Sequence, residues 1–420
     1  MNTEPFIKYE SEVRSYCRHF PVVFKKAKDA FFIDENGEKY IDFFCGAGAE
    51  NYGHNNDYIK EKVIDYLAQD GIIHALDLYT EAKRDFIEFF ETKILQPRGF
   101  NYKIQFPGPT GTNAVESALK LARKVKQRRT VWAFMGAFHG MTLGALALTT
   151  DVASRGGAGV PLENVVHIPA PYMFPELDVI KYMQTLLDDD HSAIEKPAAL
   201  VIETVQAEGG IHVYSVEFLQ GLRKFCDDND ILLIVDDVQV GCARTGTYFS
   251  FERAGIVPDI VALSKSIGGF GFPFALTLFK PEIDIWTPGE HNGTFRGNQV
   301  AIVAAKAGLE YMLNEKVEEQ VANKAVIEEK FIKEEILPLD SRLSYRGIGL
   351  VWGVDFEKIP DEKFCDKVQD ICFKNKLIIE AAGRKNAVIK TMPPLTISEE
   401  TLLEGLKILK NAIAEALKTL

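Results

Sequence analysis

Six short apolar runs, each followed by a stretch of helical character, constrain this chain more than any other feature. They are Lys103-Ile-Gln-Phe106, Thr130-Val-Trp-Ala-Phe134, Val165-Val-His-Ile168, Ala198-Ala-Leu-Val-Ile202, Ile231-Leu-Leu-Ile-Val235 and Ile260-Val-Ala-Leu263. The runs are mostly continuous rather than alternating, which is the pattern of strands covered on both faces. Helices between them supply the cover, so the expected class is α/β, with a mainly parallel sheet wrapped by helices. In open sheets of this kind ligands gather beyond the carboxyl ends of the strands. The loops after these runs are therefore where chemistry is expected.

The flanks read differently. Ala30 to Phe44 holds two apolar-rich runs joined by Asn36-Gly37, a hairpin signal. After Asn298 a long helical stretch runs through Ala301–Ala307 and past Val317 to Lys333. The tail then mixes short strands, Gly349–Asp355 and Leu377–Glu380, with amphipathic helices around Phe364–Phe373 and Thr401–Leu417. The expected division is an N-terminal segment over 1–55 docking on a smaller α+β domain over 315–420, with a large domain over 56–314.

Composition removes several function classes. A formal net charge of -12 over 420 residues disfavours sequence-independent binding to nucleic acid or to anionic membrane. No run approaches the roughly 20 apolar residues that span a bilayer, and Met1-Asn-Thr-Glu-Pro5 carries no secretory pattern, so a cytoplasmic location is expected. The six cysteines show no CxxC pair and the eight histidines no HExxH or HxxxH pair, so no metal is expected and the thiols are read as reduced.

The loops carry complementary parts. The run ending at Asp236 delivers a carboxylate to a strand end, and Lys265 follows the neighbouring run. Pro107–Ala114 places Gly111 and Thr112 at the start of a strongly helical stretch, where free backbone N–H groups and the helix dipole favour a phosphate. Phe138 offers a flat ring to stack against and His139 an imidazole. Glu203 and Glu208 follow another strand, and Thr294 and Arg296 lie in the polar loop His291–Asn298. Taken singly, each also fits a helix cap, a turn former, a core plug or a surface charge. Together, an amine and an acid aimed at one cleft beside phosphate donors suit pyridoxal phosphate, whose ring needs a Schiff-base lysine and a partner for its nitrogen.

At this point the chain resembles, over nearly its whole length, the fold-type I, class III pyridoxal-phosphate aminotransferases. The residues that carry the likeness are Leu233–Gly246 with Asp236 and Gln239, Pro258–Ser266 with Lys265, and Gly293-Thr294-Phe295. Gly46–Asn56, Gln105–Ala114 and Pro288–Gly297 resemble the branch that aminates L-aspartate 4-semialdehyde with L-glutamate at the head of ectoine synthesis. The resemblance implies a large domain with a mainly parallel seven-stranded sheet, and pyridoxal phosphate as cofactor. It implies that Lys265 joins the cofactor covalently and shuttles a proton, that Asp236 keeps the ring nitrogen protonated, and that Gln239 contacts the ring hydroxyl. Phe138 is expected to stack on the ring beside His139, Gly111 and Thr112 to bind the phosphate, and Glu208 to sit at the cofactor as a gate. Thr294 is expected to complete the neighbouring subunit's phosphate site, which makes a homodimer the minimum assembly.

One departure stands out. Many class III enzymes place an arginine before the Pro-Pro motif to grip a carboxylate, whereas this chain has Lys390 in Val388-Ile-Lys-Thr-Met-Pro-Pro394. Lysine cannot make the planar two-point fork of a guanidinium. Arg296 and Lys390 are the candidate substrate contacts. Ala207 and Ala243 stand where glycines are usual, which is tolerable if both have negative φ. Competing expectations are an acetylornithine or 4-aminobutyrate type of ω-aminotransferase, and a pyridoxal-dependent aminomutase or lyase. A cofactor-binding regulator would need a basic helix-turn-helix extension, and none precedes the hairpin.

Overall fold

A computed structural model describes residues 2–420. Seven strands form its central sheet, in the spatial order Lys103–Gln105, Leu276–Phe279, Ile260–Leu263, Leu232–Asp236, Ala199–Ile202, Val131–Phe134 and Val165–Ile168. All six expected runs are in it. The seventh strand, Leu276–Phe279, runs antiparallel to both of its neighbours, and every other pairing is parallel. It follows its partner through the turn 264–275 rather than through a long helix, so it lacks the alternation by which the other six were recognised.

Successive residues of these strands enter opposite cores. Trp132, Phe134, Leu200, Ile202, Leu233, Val235, Val261 and Leu263 join one apolar cluster, while Val131, Ala133, Ala199, Val201, Leu232, Ile234, Ile260 and Ala262 join the other. Burial of each large side chain contributes roughly 1.5–3 kcal/mol, so both faces must be covered for the sheet to be stable. The helices Gly111–Lys126 and Val216–Asp228 bring their apolar faces to opposite clusters.

The hairpin forms as Phe31–Asp34 against Lys39–Asp42, with Gly37 at φ 87° in its turn. Leu377–Ile378 adds beside Lys39–Asp42 in parallel, tying the first residues to the last hundred. A second four-stranded sheet is built from Ser344–Ile348, Val351–Asp355, Val388–Thr391 and Glu380–Ala382, all antiparallel. The helical stretch after Asn298 is two helices, Gln299–Asn314 and Val317–Phe331, broken where Lys316 turns to φ 51°.

Ala243 corrects one expectation. Its φ is 75° and that of Cys242 is 54°, so an alanine occupies the left-handed conformation that glycine takes without steric cost. Ala207 is not among the residues of positive φ.

Candidate active site

Asp236 ends a central strand and pairs in register with Ala262, three residues before Lys265 on the adjacent strand. The sheet thus sets the acid and the amine side by side at its carboxyl edge. Asp236 is buried, and both of its oxygens are engaged: Oδ2 lies 2.7 Å from His139 Nδ1 and Oδ1 accepts from the Val238 amide at 3.1 Å. The bond to Asp236 keeps the His139 proton affinity above that of a free imidazole, although burial acts against it. Its other ring nitrogen, Nε2, is buried without a partner among the described residues.

Lys265 sits at φ 54°, an uncommon conformation for a side-chain-bearing residue and one that clusters at functional sites. Its Nζ donates to the Ala47 carbonyl at 2.9 Å. Burial pulls its proton affinity down, with Glu208 partly restoring it. Gln239 Nε2 reaches the same Ala47 carbonyl at 2.9 Å and Glu208 at 2.8 Å.

Gly111 and Thr112 open the helix Gly111–Lys126, whose first amides have no acceptor within the helix. Thr112 Oγ1 lies 2.7 Å from Thr142 Oγ1. Two glycines keep this corner open. A Cβ on Gly140 would stand 2.5 Å from Thr112 Oγ1, and one on Gly111 2.7 Å from Val238. The Phe138 amide donates to Glu203 Oε1 at 2.9 Å, and burial raises the Glu203 carboxyl to about 8.

Nine of the expected residues, Gly111, Thr112, Phe138, His139, Glu203, Glu208, Asp236, Gln239 and Lys265, line one cavity of about 160 Å³. Val238 and Val205 add apolar walls that the sequence reading passed over, although Val238 stands between two of its candidates. Ala47 was also passed over, because nothing in an alanine announces a carbonyl aimed across 218 residues at a lysine.

Three expected residues stand elsewhere. Thr294 is exposed, its carbonyl accepting from His74 Nε2 at 2.9 Å. Arg296 donates to the His291 carbonyl and lines a separate open groove of about 1010 Å³ with Tyr79 and Trp286. Within one chain it does not face the cleft. Lys390 is buried and held by Glu208 at 2.6 Å and Glu380 at 2.9 Å, so its ammonium is already neutralised rather than free to grip a substrate. The two carboxylates raise its proton affinity against the pull of burial, and Lys390 in turn overrides burial to hold Glu208 below the usual carboxylate range.

The description of the aminotransferase class-III family matches residues 13–413. The chain belongs to that family. It is 52% identical to a diaminobutyrate–2-oxoglutarate transaminase of Nocardia farcinica over 98% of this chain and 94% of that protein. It is 50% identical to one of Sporosarcina pasteurii over 97% and 96%. Among solved structures it resembles an acetylornithine aminotransferase from Elizabethkingia anophelis, with a TM-score of 0.80, 26% identity and 98% of each chain covered. A Bacillus anthracis aminotransferase superposes with a TM-score of 0.88 at 23% identity, covering 99% and 100%, which supports the fold alone.

Pyridoxal phosphate is the cofactor of this class, and the donor set fits it. The cleft joins a helix N-terminus held open by glycines, a flat phenyl ring, a buried carboxylate and a primary amine.

Proposed function

We propose that this aminotransferase moves the amino group of L-glutamate to L-aspartate 4-semialdehyde, forming L-2,4-diaminobutyrate and 2-oxoglutarate. The observation that carries this reading is the 52% identity, over 98% of the chain, to a protein named for that reaction.

Pyridoxal phosphate, when bound, supplies an electron sink for the carbon that loses its proton. The remaining work falls to side chains. Gly111 and Thr112 would hold the phosphate at the helix N-terminus, and Phe138 would lie against the ring. Asp236 would hold a proton on the ring nitrogen, with His139 fixing its orientation. Gln239 would reach the ring hydroxyl. Lys265 Nζ would take the proton from C2 of glutamate and, in the return half, deliver one to C4 of the acceptor. Burial lowers its proton affinity, which eases loss of the proton it must give up to act as that base.

This reading divides the chain at about residues 55 and 314, places it in the cytoplasm at the head of ectoine synthesis, and needs at least a dimer. No helix among the described residues is long and apolar enough to cross a membrane. Leu76, Leu78, Tyr79 and Phe295 are exposed, and Phe295 stands 5.4 Å from His74, which bonds Thr294. Clustered exposed apolar residues of this kind mark an interaction surface. On this reading a second copy seated there would supply its Thr294 loop to the cleft, which Thr294 of the same chain does not line.

The test is a half-reaction. Cofactor-loaded enzyme given L-glutamate alone is expected to release one equivalent of 2-oxoglutarate and lose its visible absorbance, and added L-aspartate 4-semialdehyde is expected to restore it. Failure of glutamate to release 2-oxoglutarate would contradict the assignment.

A further inference from the structure

Glu116 lies in the second turn of the helix Gly111–Lys126, and its carboxylate is committed to another element. Oε1 accepts from the Gly144 amide at 2.9 Å, the Ala145 amide at 3.1 Å and Thr142 Oγ1 at 2.6 Å. These residues open the short helix Leu143–Leu148, where Thr142 stands at the N-cap and makes no cap bond of its own. The fit is close: a Cβ on Gly144 would stand 2.2 Å from Glu116 Oε2. The other end of this loop is tied by Thr149, whose hydroxyl accepts from the His139 amide at 2.9 Å and donates to the Gly140 carbonyl at 3.0 Å. Residues 139–145 are therefore anchored at both ends.

Thr142 carries the consequence to the cleft. Its hydroxyl has one proton, and that proton goes to Glu116, so in the 2.7 Å contact with Thr112 Oγ1 it is Thr112 that donates. Thr112 lines the cleft, and Thr142 and Glu116 do not. Gly140, at φ 128°, lets the backbone come up against Thr112 Oγ1 on the same side. The Thr112 oxygen is thus held in one place by groups outside the cleft, beside the free amides that open its helix.

A phosphate at those amides also takes hydroxyl donors. A hydroxyl proton turns about its own C–O bond without moving the oxygen. When Thr112 turns its proton to a phosphate oxygen, Thr142 can turn its own from Glu116 to Thr112, and Glu116 Oε1 keeps two amide donors. Neither arrangement orphans a group in the chain from Glu116 to Thr112, and neither requires a heavy atom to move.

We propose that Glu116 and Thr142 are positioning residues for the phosphate end of the cofactor: Glu116 anchors the loop, and Thr142 holds the Thr112 oxygen at the cleft wall and supplies it with a hydrogen bond once Thr112 donates to phosphate. This rests on the assignment of the phosphate to Gly111 and Thr112 made above. Neither residue lines the cleft; both act through Thr112.

The experiment compares two ligands that differ only in the phosphate. Cofactor-free wild type, Glu116→Ala, Thr142→Val, their double variant and Thr112→Val are titrated with pyridoxal phosphate and with pyridoxal, and dissociation constants are read from the absorbance of the bound ring. Thr142→Val removes a neutral hydrogen bond and keeps the shape, and is expected to weaken pyridoxal phosphate by ~2–10-fold. Glu116→Ala takes the charged acceptor from three donors, and is expected to weaken it by ~10-fold or more. Both are expected to leave pyridoxal unchanged. One shared path makes the losses non-additive, so the double variant is expected within ~2-fold of Glu116→Ala. A merely structural role would weaken both ligands together, so an unchanged ratio of the two constants, or fully additive losses, would overturn the proposal. If Glu116→Ala does not fold, the exposed Thr142 decides: a wild-type ratio in Thr142→Val refutes the proposal. Thr112→Val separates the underlying assignment. A wild-type ratio there would remove the phosphate from Thr112 and this proposal with it, whereas an altered ratio there beside wild-type ratios in Glu116→Ala and Thr142→Val would overturn this proposal alone.

Discussion

His139 Nδ1 stands 2.7 Å from Asp236 Oδ2 at the floor of the cleft, both side chains buried. With the Val238 amide on Oδ1, the carboxylate is fixed in one orientation before any ligand arrives. Preorganisation of this kind lets a charge act on the reacting system without paying to reorient.

Replacing Asp236 by Asn keeps the shape and removes the charge. Turnover is expected to fall by ~10²–10³-fold, the range seen when one preorganised electrostatic partner is lost. Steady-state kcat with L-glutamate checks this, and a variant within a few-fold of wild type would remove Asp236 from the role.

Glu203 gives a pH signature. Its folded-state value, about 8, lies above the ordinary glutamate value of 4.5, so the folded state holds a proton that the unfolded chain has released between those limits. That contribution to stability is complete below about pH 4.5 and declines as pH rises to about 8, by up to about 1.4 kcal/mol per pH unit. Glu203→Gln cannot titrate and keeps an acceptor for the Phe138 amide. Urea unfolding of the cofactor-free protein at several pH values should show a shallower decline in the variant than in wild type, and identical slopes would contradict the buried, protonated state.

Ala243 makes the opposite kind of prediction, a gain. At φ 75° its Cβ costs roughly 1–2 kcal/mol that glycine does not incur, partly offset by glycine's greater freedom when unfolded. Ala243→Gly is expected to raise stability by up to about 1 kcal/mol in denaturant titration; destabilisation would show that the methyl group's packing outweighs the strain.

The exposed apolar residues around Tyr79 predict assembly. Wild type is expected to sediment at twice the 47.0 kDa of one chain or more, and Leu78→Glu with Tyr79→Glu to shift it toward monomer with loss of activity. An active monomer would contradict the requirement for a partner.

The sequence made some of this legible and hid the rest for identifiable reasons. Asp236 and Lys265 were readable because each follows a strand whose apolar run is unbroken, and parallel pairing then forces both to one edge. Phe138 and His139 were readable for the same reason, and Gly111 and Thr112 because they open a strongly helical run. Glu380 was not, although it ends the expected strand Leu377–Glu380, because its meeting with Lys390 depends on an antiparallel register between strands ten residues apart. The left-handed turn at Cys45–Gly48 and the φ of Ala243 were hidden because cysteine and alanine carry no mark of positive φ. Arg296 is legible in the sequence only as part of a polar loop, and its distance from the cleft in a single chain emerges from the fold, whereas Thr294 is expected from the resemblance to serve a neighbouring subunit.

The central claim is tested most directly by competition. L-Glutamate-loaded enzyme offered L-aspartate 4-semialdehyde, N-acetyl-L-glutamate 5-semialdehyde and succinate semialdehyde together, with the three amines quantified, reports the ratios of kcat/KM in one vessel. L-2,4-Diaminobutyrate is expected to exceed the other two products by at least ~10-fold, as one lost charge-assisted contact implies. Predominance of N-acetylornithine or of 4-aminobutyrate would contradict the account.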